Sequence, residues 1–480
     1  MKRREFLKSM GLFGTTVAMP SLLWNQSVRA ALPDGINYLA PAIMPQVVNI
    51  FLYGGPSELA GNLTNITEIN ANSQNPYPSY LDPADANSGV TPNGFWGPDS
   101  NGNNSAGGDI METLIADGDM SIYRTINRVA DDNKGHGRSV TQNLVGNLLT
   151  TNPGIGTTLT AILAQHNPFG KPLDDLVLPV VSFEGNSKIF NLGDLEIPLV
   201  LRPIALDANF NNPYQRASNN EIGIYDDEIE ALARSVSSAY GAKHQRVNDA
   251  FVKRSQLADF IDTNFNRTIV DNNLPVNPNH DPLAPDPDTD AVTGKLIYPD
   301  TNFGNRLKAA ISLAINNPDT FFINLGSGGL GGWDDHSDAL GNYANRMQNL
   351  MAALRCAVKH MKWTASNNIV INVFGDFGRN VNLNNAGGWD HGNNQNFYTV
   401  GGWALDNPEQ GRKLGKIVGV TERIGTPFQN RQFTSPVNGS YQCEPFAIAS
   451  TIYKYFGVQN PELLTGEAAI DEVGTANERI

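Results

Sequence analysis

Cysteine is nearly missing, with two in 480 residues, Cys356 and Cys443. A pair in a chain this long is no disulfide framework. Cys356 lies inside the helical pattern RMQNLMAALRCAVKHMKW, where it reads as a small buried hydrophobe. Basic clusters are also missing. Thirty-four Lys and Arg face 48 Asp and Glu, a formal net charge of −14. Such a surface excludes nucleic acid as an expected partner. No run of eighteen apolar residues occurs, so no stable membrane span is expected. A Gly-x-Ser-x-Gly elbow is absent as well, which argues against an ordinary serine-hydrolase triad.

The N-terminus supplies the first positive signal. MKRREFLKSM carries paired Arg3 and Arg4, a short apolar run rich in Gly and Thr follows, and Val28 and Ala30 sit at signal-peptidase spacing. Residues 1–30 therefore read as a twin-arginine signal peptide, with the twin-arginine translocase as export partner and a periplasmic or secreted destination.

Beyond it, short apolar runs alternate with helical patterns. QVVNIFLY (Gln46 to Tyr53), MSIYRT, LVLPVVSF, TFFINLG and NIVINVFG read as buried strands. DIMETLIAD, RSVTQNLVGNLL, GTTLTAILAQ, Asp226 to Thr263, NRLKAAISLAIN and Asp338 to Trp363 read as helices. This order predicts an α/β fold with a mainly parallel sheet sandwiched by helices, in one domain over 46–457. Loop insertions are expected near 62–108 and 264–300, and residues 458–480 form a C-terminal tail. The tract Asp271 to Gly294 is rich in Asp, Pro and Asn but lacks a fixed calcium-loop order, so it reads as a solvated loop.

Ligands of open parallel sheets bind beyond the carboxyl ends of the strands. TFFINLG runs into SGGLGGWDDHSD, placing Asp334 and His336 at such an end. NIVINVFG is followed at once by Asp376, and the next loop, AGGWDHGNN, brings Asp390 and His391. Carboxylate oxygen with imidazole nitrogen suits a divalent metal, and a cation relieves the repulsion of gathered carboxylates. The plainer reading of each group alone is a turn or a cap, with Asp335 or Ser337 capping the helix that follows. His136, in KGHGRS after the strand MSIYRT, falls at the same edge; a solvent-exposed loop histidine is its alternative. His166, His244, His280 and His360 have no such setting and read as surface or structural. In GGPSEL, Gly54 to Leu59, Ser57 is a candidate nucleophile activated by a metal, or else the N-cap of a turn. Arg379 could pair an anionic substrate group or a nearby Asp.

In this order, FLYGGPSEL, a His-containing loop, NPGIGTTLTAIL, GGWDDHS, FGDFGRN and GGWDHGN make the chain resemble the domain-of-unknown-function 1501 (DUF1501) family, which looks like a distant branch of the alkaline phosphatase and sulfatase superfamily. The resemblance runs from about Gln46 to Gly457. It implies an alkaline-phosphatase-like α/β sandwich with a two-metal site. Asp334 and His336 would supply one position, and Asp376, Asp390 and His391 would complete it or form the second. Zinc or manganese would be the metal. Ser57 would be the nucleophile on a phosphate or sulfate ester of a small molecule or glycan. Ala60 stands where the family usually has an Asp shortly after Gly-Gly-Pro-Ser, Asn380 and Val381 replace a common Thr-Pro, and Ala447 replaces the arginine of a sulfatase-like Cys-x-Pro-x-Arg at Cys443. Two functions are thus expected: an exported metal-dependent hydrolase of phosphate or sulfate esters with His136, Ser57 and Arg379 as catalytic groups, or a non-catalytic envelope protein that binds glycan or assists assembly or export of a partner.

Overall fold

The computed structural model describes residues 32–131, 134–211, 242–405, 414–425 and 431–470, with 228, 231–232, 234–236 and 239 besides. The expected signal peptide, the last ten residues of the expected tail, and much of the first half of the helix expected from Asp226 lie outside the described residues.

An eight-stranded sheet carries the chain. Its strands are β1 (Gln46–Leu52), β2 (Met120–Asn127), β3 (Val180–Ser182), β4 (Ile204–Ala205), β5 (Phe322–Asn324), β6 (Ile369–Gly375), β9 (Asn394–Gly401) and β10 (Ile417–Val418). A small ribbon, β7 (Gly378–Arg379) with β8 (His391–Gly392), stands beside it. The sheet order is β10-β2-β9-β6-β1-β5-β3-β4, and only β9 runs antiparallel to its neighbours. The expected mainly parallel α/β sandwich is what the chain forms.

β1 and β6 are buried at every residue, as continuous apolar runs demand when helices cover both faces. Val48, Ile50 and Leu52 face one layer, with the helices Gly108–Ala116, Asn302–Asn316 and Ala339–Trp363. Val47 and Phe51 face the other, with His136–Val145, Ile155–His166 and Phe446–Tyr455. LVLPVVSF yields only three strand residues, because Leu178 takes a left-handed φ of 49° and Pro179 has no N–H to give the ladder. One register row is polar: Ser121, Thr399, Asn372, Asn49, Asn324 and Ser182 sit on adjacent strands, all buried.

The two expected insertions are anchored to the body. Within 62–108, Tyr77, Leu81, Phe95 and Trp96 join the core. In the acidic tract, Asp288 takes Arg355 (2.7 Å) and Lys359 (2.7 Å), and Asp286 takes Lys359 (2.5 Å), all on the helix Ala339–Trp363. Cations thus meet both carboxylates, and the tract acts as a clamp on that helix. No helix among the described residues is long and apolar enough to cross a membrane.

Candidate metal centre

Because β2, β6, β1 and β5 all point the same way, the loops that leave them converge at one edge. β9, running opposite, starts there. His136 opens the helix after β2, Asp334 and His336 follow β5, Asp376 follows β6, and His391 precedes β9. His136, Asp334, His336 and His391 each offer a ligand atom, and these atoms all lie within 4.8 Å of one another. Around Asp334 Oδ1 stand the Nε2 atoms of His336 (3.0 Å), His136 (3.2 Å) and His391 (3.8 Å).

The two Gly-Gly-Trp stretches dock onto each other. Trp389 N–H donates to the Asp335 carbonyl (2.8 Å), Asp338 N–H to Ala386 (3.0 Å) and Ala339 N–H to Gly387 (3.0 Å). A Cβ on Gly388 would lie 2.1 Å from the His336 carbonyl carbon, so glycine is required for this approach. Trp333 and Trp389 are both fully buried and pack edge-on against Tyr343 at 5.9 and 5.2 Å. The echo is a pair of anchored loops that hold donors together, rather than a coincidence of turns. Asp335 pairs with both terminal nitrogens of Arg346 (2.7 and 3.0 Å), and the helix N-cap is Asp338, so neither expected cap is used.

Two carboxylates stand behind imidazoles rather than among the four donors. Asp376, fully buried, takes His136 Nδ1 at 2.7 Å. Asp390 takes His336 Nδ1 at 3.2 Å. Each bond puts the proton on Nδ1 and leaves the Nε2 lone pair facing Asp334. Asp376 is fixed in turn by Gly54 N–H (3.2 Å), and its carbonyl accepts Asn143 Nδ2 (2.9 Å). Phe377, next to it, floors the site with ring centroids 4.7 Å from His136 and 4.4 Å from His391. Sequence reading overlooked this residue, whose only signal is its place inside GDFGR.

Charge follows the geometry. Asp376 accepting from the His136 ring holds that imidazole above its usual pKa, against burial. For Asp334 burial pushes upward, but the Arg379 hydrogen bond and charge, with His136 and His336, bring the carboxyl below its ordinary value. Burial first, then Arg379 and the two neighbouring histidines, holds His391 low. His136 Nε2 and His391 Nε2 are buried atoms with no hydrogen-bond partner. Buried polar atoms are rarely left so, and three imidazole nitrogens with one carboxylate form a donor set that fits a divalent cation.

The geometry bears on five of the expected site residues. Arg379, fully buried, donates to the carbonyls of Gly55 (2.6 Å), Gly54, Trp333 (3.1 Å) and Trp389 (3.1 Å), and to Asp334 Oδ1 (2.6 Å). Its guanidinium ties three loops together. Ser57 is buried; its Oγ accepts Leu59 N–H (3.3 Å), and its carbonyl accepts the Tyr343 hydroxyl. These bonds make Ser57 part of its own turn, not of the group around Asp334. His136 stands among the donors, where a catalytic role was expected. Asp376 and Asp390 stand behind them, where ligand roles were expected.

The residues near the missing first-strand carboxylate are also committed. Glu58 is fully buried and accepts from Asn62 (3.3 Å), Thr434 (2.5 Å) and Asn394. Of the other histidines, His360 is buried against Tyr298 (3.1 Å), with its pKa pushed down to about 3 by burial. His166 stacks on Tyr38, and His280 contacts the Val292 carbonyl (3.2 Å). The His244 side chain lies outside the described residues.

Residues 229–437 match the family described as "Protein of unknown function (DUF1501)", which bears out the resemblance expected from the motifs. The matched span holds both Gly-Gly-Trp loops and the Gly-Asp-Phe-Gly-Arg segment. No curated protein matches the chain by sequence. Among solved structures, the alkaline phosphatase from the Antarctic bacterium TAB5 is similar at 10% identity, covering 86% of this chain and 98% of that one, with a TM-score of 0.31. Two variants of the TAB5 enzyme with Mg bound in the M3 site are similar at 12% identity. They cover 75% of this chain and 91% and 92% of their own, with TM-scores of 0.26.

Proposed function

Starting from a chain that carries a DUF1501 region, we propose an exported, metal-dependent hydrolase of phosphate or sulfate esters. The observation that carries the metal is the convergence of His136, Asp334, His336 and His391 with two buried Nε2 atoms left unpartnered. One divalent cation suits this group. Its nitrogen-rich, oxygen-poor donor set favours zinc over manganese. Asp376 and Asp390 serve as orienting carboxylates. With Glu58 enclosed by Asn62, Thr434 and Asn394, a second cation has no first-strand carboxylate to use. When bound, such an ion supplies Lewis acidity toward an ester oxygen and lowers the pKa of water.

The chain's own part is positional. Asp376 and Asp390 accept from the Nδ1 atoms of His136 and His336 and so aim both Nε2 atoms at Asp334. Arg379 fixes Asp334. The rim of the group faces solvent: the side chains of His136, Asp334 and His336 are 33, 48 and 45% exposed. The motif resemblance supports ester hydrolysis as the reaction and export through the twin-arginine route as the setting. A metal-binding envelope protein without catalysis is the second reading, favoured by the enclosure of Ser57 and the full engagement of Arg379.

Elemental analysis of the purified protein beside an Asp334→Ala, His336→Ala double variant tests this, followed by assays of nitrophenyl phosphate and nitrophenyl sulfate. We expect one equivalent of metal, lost in the double variant, and metal-dependent turnover of one ester. No metal after incubation with zinc and manganese sinks the centre. Bound metal without turnover of either ester selects the non-catalytic reading.

A further inference from the structure

The sheet edge does not end at the metal centre. In the order β6-β1-β5-β3-β4, Asp376 tops the first strand and Gly54 the second. Glu184 tops β3, three strand spacings from β6, or about 14 Å. Next to it opens a cleft of about 420 Å³, lined by Asn186, Ser187, Lys188 and Phe190 and bounded by Pro203 and Ala205.

Tyr53 joins the two places. Its carbonyl accepts the N–H of Trp333, the residue before Asp334 (3.1 Å), and its hydroxyl donates to Glu184 Oε1 (2.9 Å). Asn324, fully buried, donates its Nδ2 to the same oxygen (2.6 Å), while its own Oδ1 has no hydrogen-bond partner. Gly326, with φ +56°, lets Glu184 lie against the strand end; a Cβ there would sit 1.8 Å from Glu184 Oε2. Glu184 is thus held rigidly with one oxygen engaged. Oε2 accepts no hydrogen bond among the described contacts. None of these residues is one of the four donors, and a carboxylate locked by a hydroxyl, an amide and a required glycine is a built acceptor.

We propose that Tyr53, Glu184 and the adjoining cleft form the subsite for the alcohol side of the ester, and that this alcohol is a sugar. The proposal rests on the hydrolase reading for its ester, but not for the sugar. The chemistry argues for a polyhydroxylated ligand. A carboxylate accepts hydroxyl donors, the Asn186 amide both donates and accepts, Lys188 donates, and the Phe190 ring offers an apolar face, while the Ser187 hydroxyl caps its own turn by accepting from Ile189 N–H (3.4 Å). An acyl chain would strand these polar groups without partners.

The test separates the subsite from the hydrolase. The full chain is titrated with glucose and with N-acetylglucosamine by calorimetry and saturation-transfer NMR, beside Glu184→Gln, Lys188→Ala and the Asp334→Ala, His336→Ala double variant. We expect saturable binding of at least one sugar, retained in the double variant and weakened by about tenfold or more in Glu184→Gln, the range for losing a hydrogen bond to a charged group. Lys188 is exposed at the lip of the cleft, so Lys188→Ala reports the same site without a folding risk, with a smaller loss. With the sugar 6-phosphate and 6-sulfate esters, Glu184→Gln should raise KM while metal content stays as in the unaltered chain. No saturable sugar binding, or binding equal in all variants, overturns the subsite even if esters are hydrolysed. Sugar binding without any ester turnover leaves the subsite standing and removes the hydrolase.

Discussion

The loops Leu330–Leu340 and Ala386–Asn394 share Gly-Gly-Trp-Asp and a following histidine, yet they divide the labour. The first gives both its Asp334 and its His336 to the donor group, and its second aspartate, Asp335, pairs with Arg346. The second gives only His391, while its Asp390 sits behind His336. The one extra residue between Trp and His in the first loop makes the difference. It lets Asp334 turn toward the centre while Asp335 turns toward the helix. The same letters thus encode a ligand in one place and an orienting group in the other.

The tryptophans should matter most to stability. Trp389→Ala should cost about 3–5 kcal/mol, the range for emptying a large aromatic site, read by urea unfolding. A loss under about 1 kcal/mol would break the view of these loops as anchored from beneath. The two anchors are also unequal. Trp389 Nε1 donates to the Tyr77 hydroxyl (2.6 Å), whereas Trp333 Nε1 has no hydrogen-bond partner. Trp389→Phe should therefore cost about 1 kcal/mol more than Trp333→Phe.

Next in size is a pH effect tied to the second loop alone, since Asn394 at its end donates to Glu58. Burial pushes Glu58 up to about 7 from 4.5, with Thr434, Asn394, Arg124 and Asn62 pulling the other way. The folded chain then keeps a proton that the unfolded chain releases. This contribution to stability is fully present below about pH 4.5 and is lost as pH rises through about 7. The loss amounts to about 3 kcal/mol. Glu58→Gln should flatten that part of the stability profile; an unchanged slope between pH 5 and 8 would refute the burial argument.

The orienting carboxylates sharpen the comparison further. Asp376→Asn should weaken metal binding about 10- to 100-fold, the range for an orienting partner of a ligand histidine. Asp390→Asn should have the smallest effect, under about tenfold, because its side chain is 41% exposed and its bond is longer. Competition titrations against a chromophoric chelator would rank the two. Equal losses would mean that Asp376 and Asp390 are equivalent, contrary to their burial.

Much of this was legible in the residues. Continuous apolar runs gave β1, β2 and β6 nearly to their ends, and the residues just beyond parallel strands marked the edge where Asp334, His336, Asp376, Asp390 and His391 gather. Direction was harder. NFYTVGG reads as a strand, but nothing in its pattern says that it runs antiparallel between β2 and β6. The helix Phe446–Tyr455 went unread beside its Cys-Glu-Pro start. Asn, Pro and Gly between 62 and 108 read as a loop insertion because composition reports the average polarity of a segment, while four aromatic and aliphatic anchors set its packing.

Sequence by itself determined the alternating sheet, the chemistry types at its edge and the net acidic charge. These follow from side-chain identity and from short-range periodicity. Only the tertiary structure decided which carboxylate joins the donor group and which backs an imidazole, that Arg379 is a strut, that Ser57 is enclosed, and that His136 belongs with the donors. Those roles depend on distances of about 3 Å between residues as far apart in the chain as Gly55 and Arg379, 324 positions, and no local pattern carries such distances.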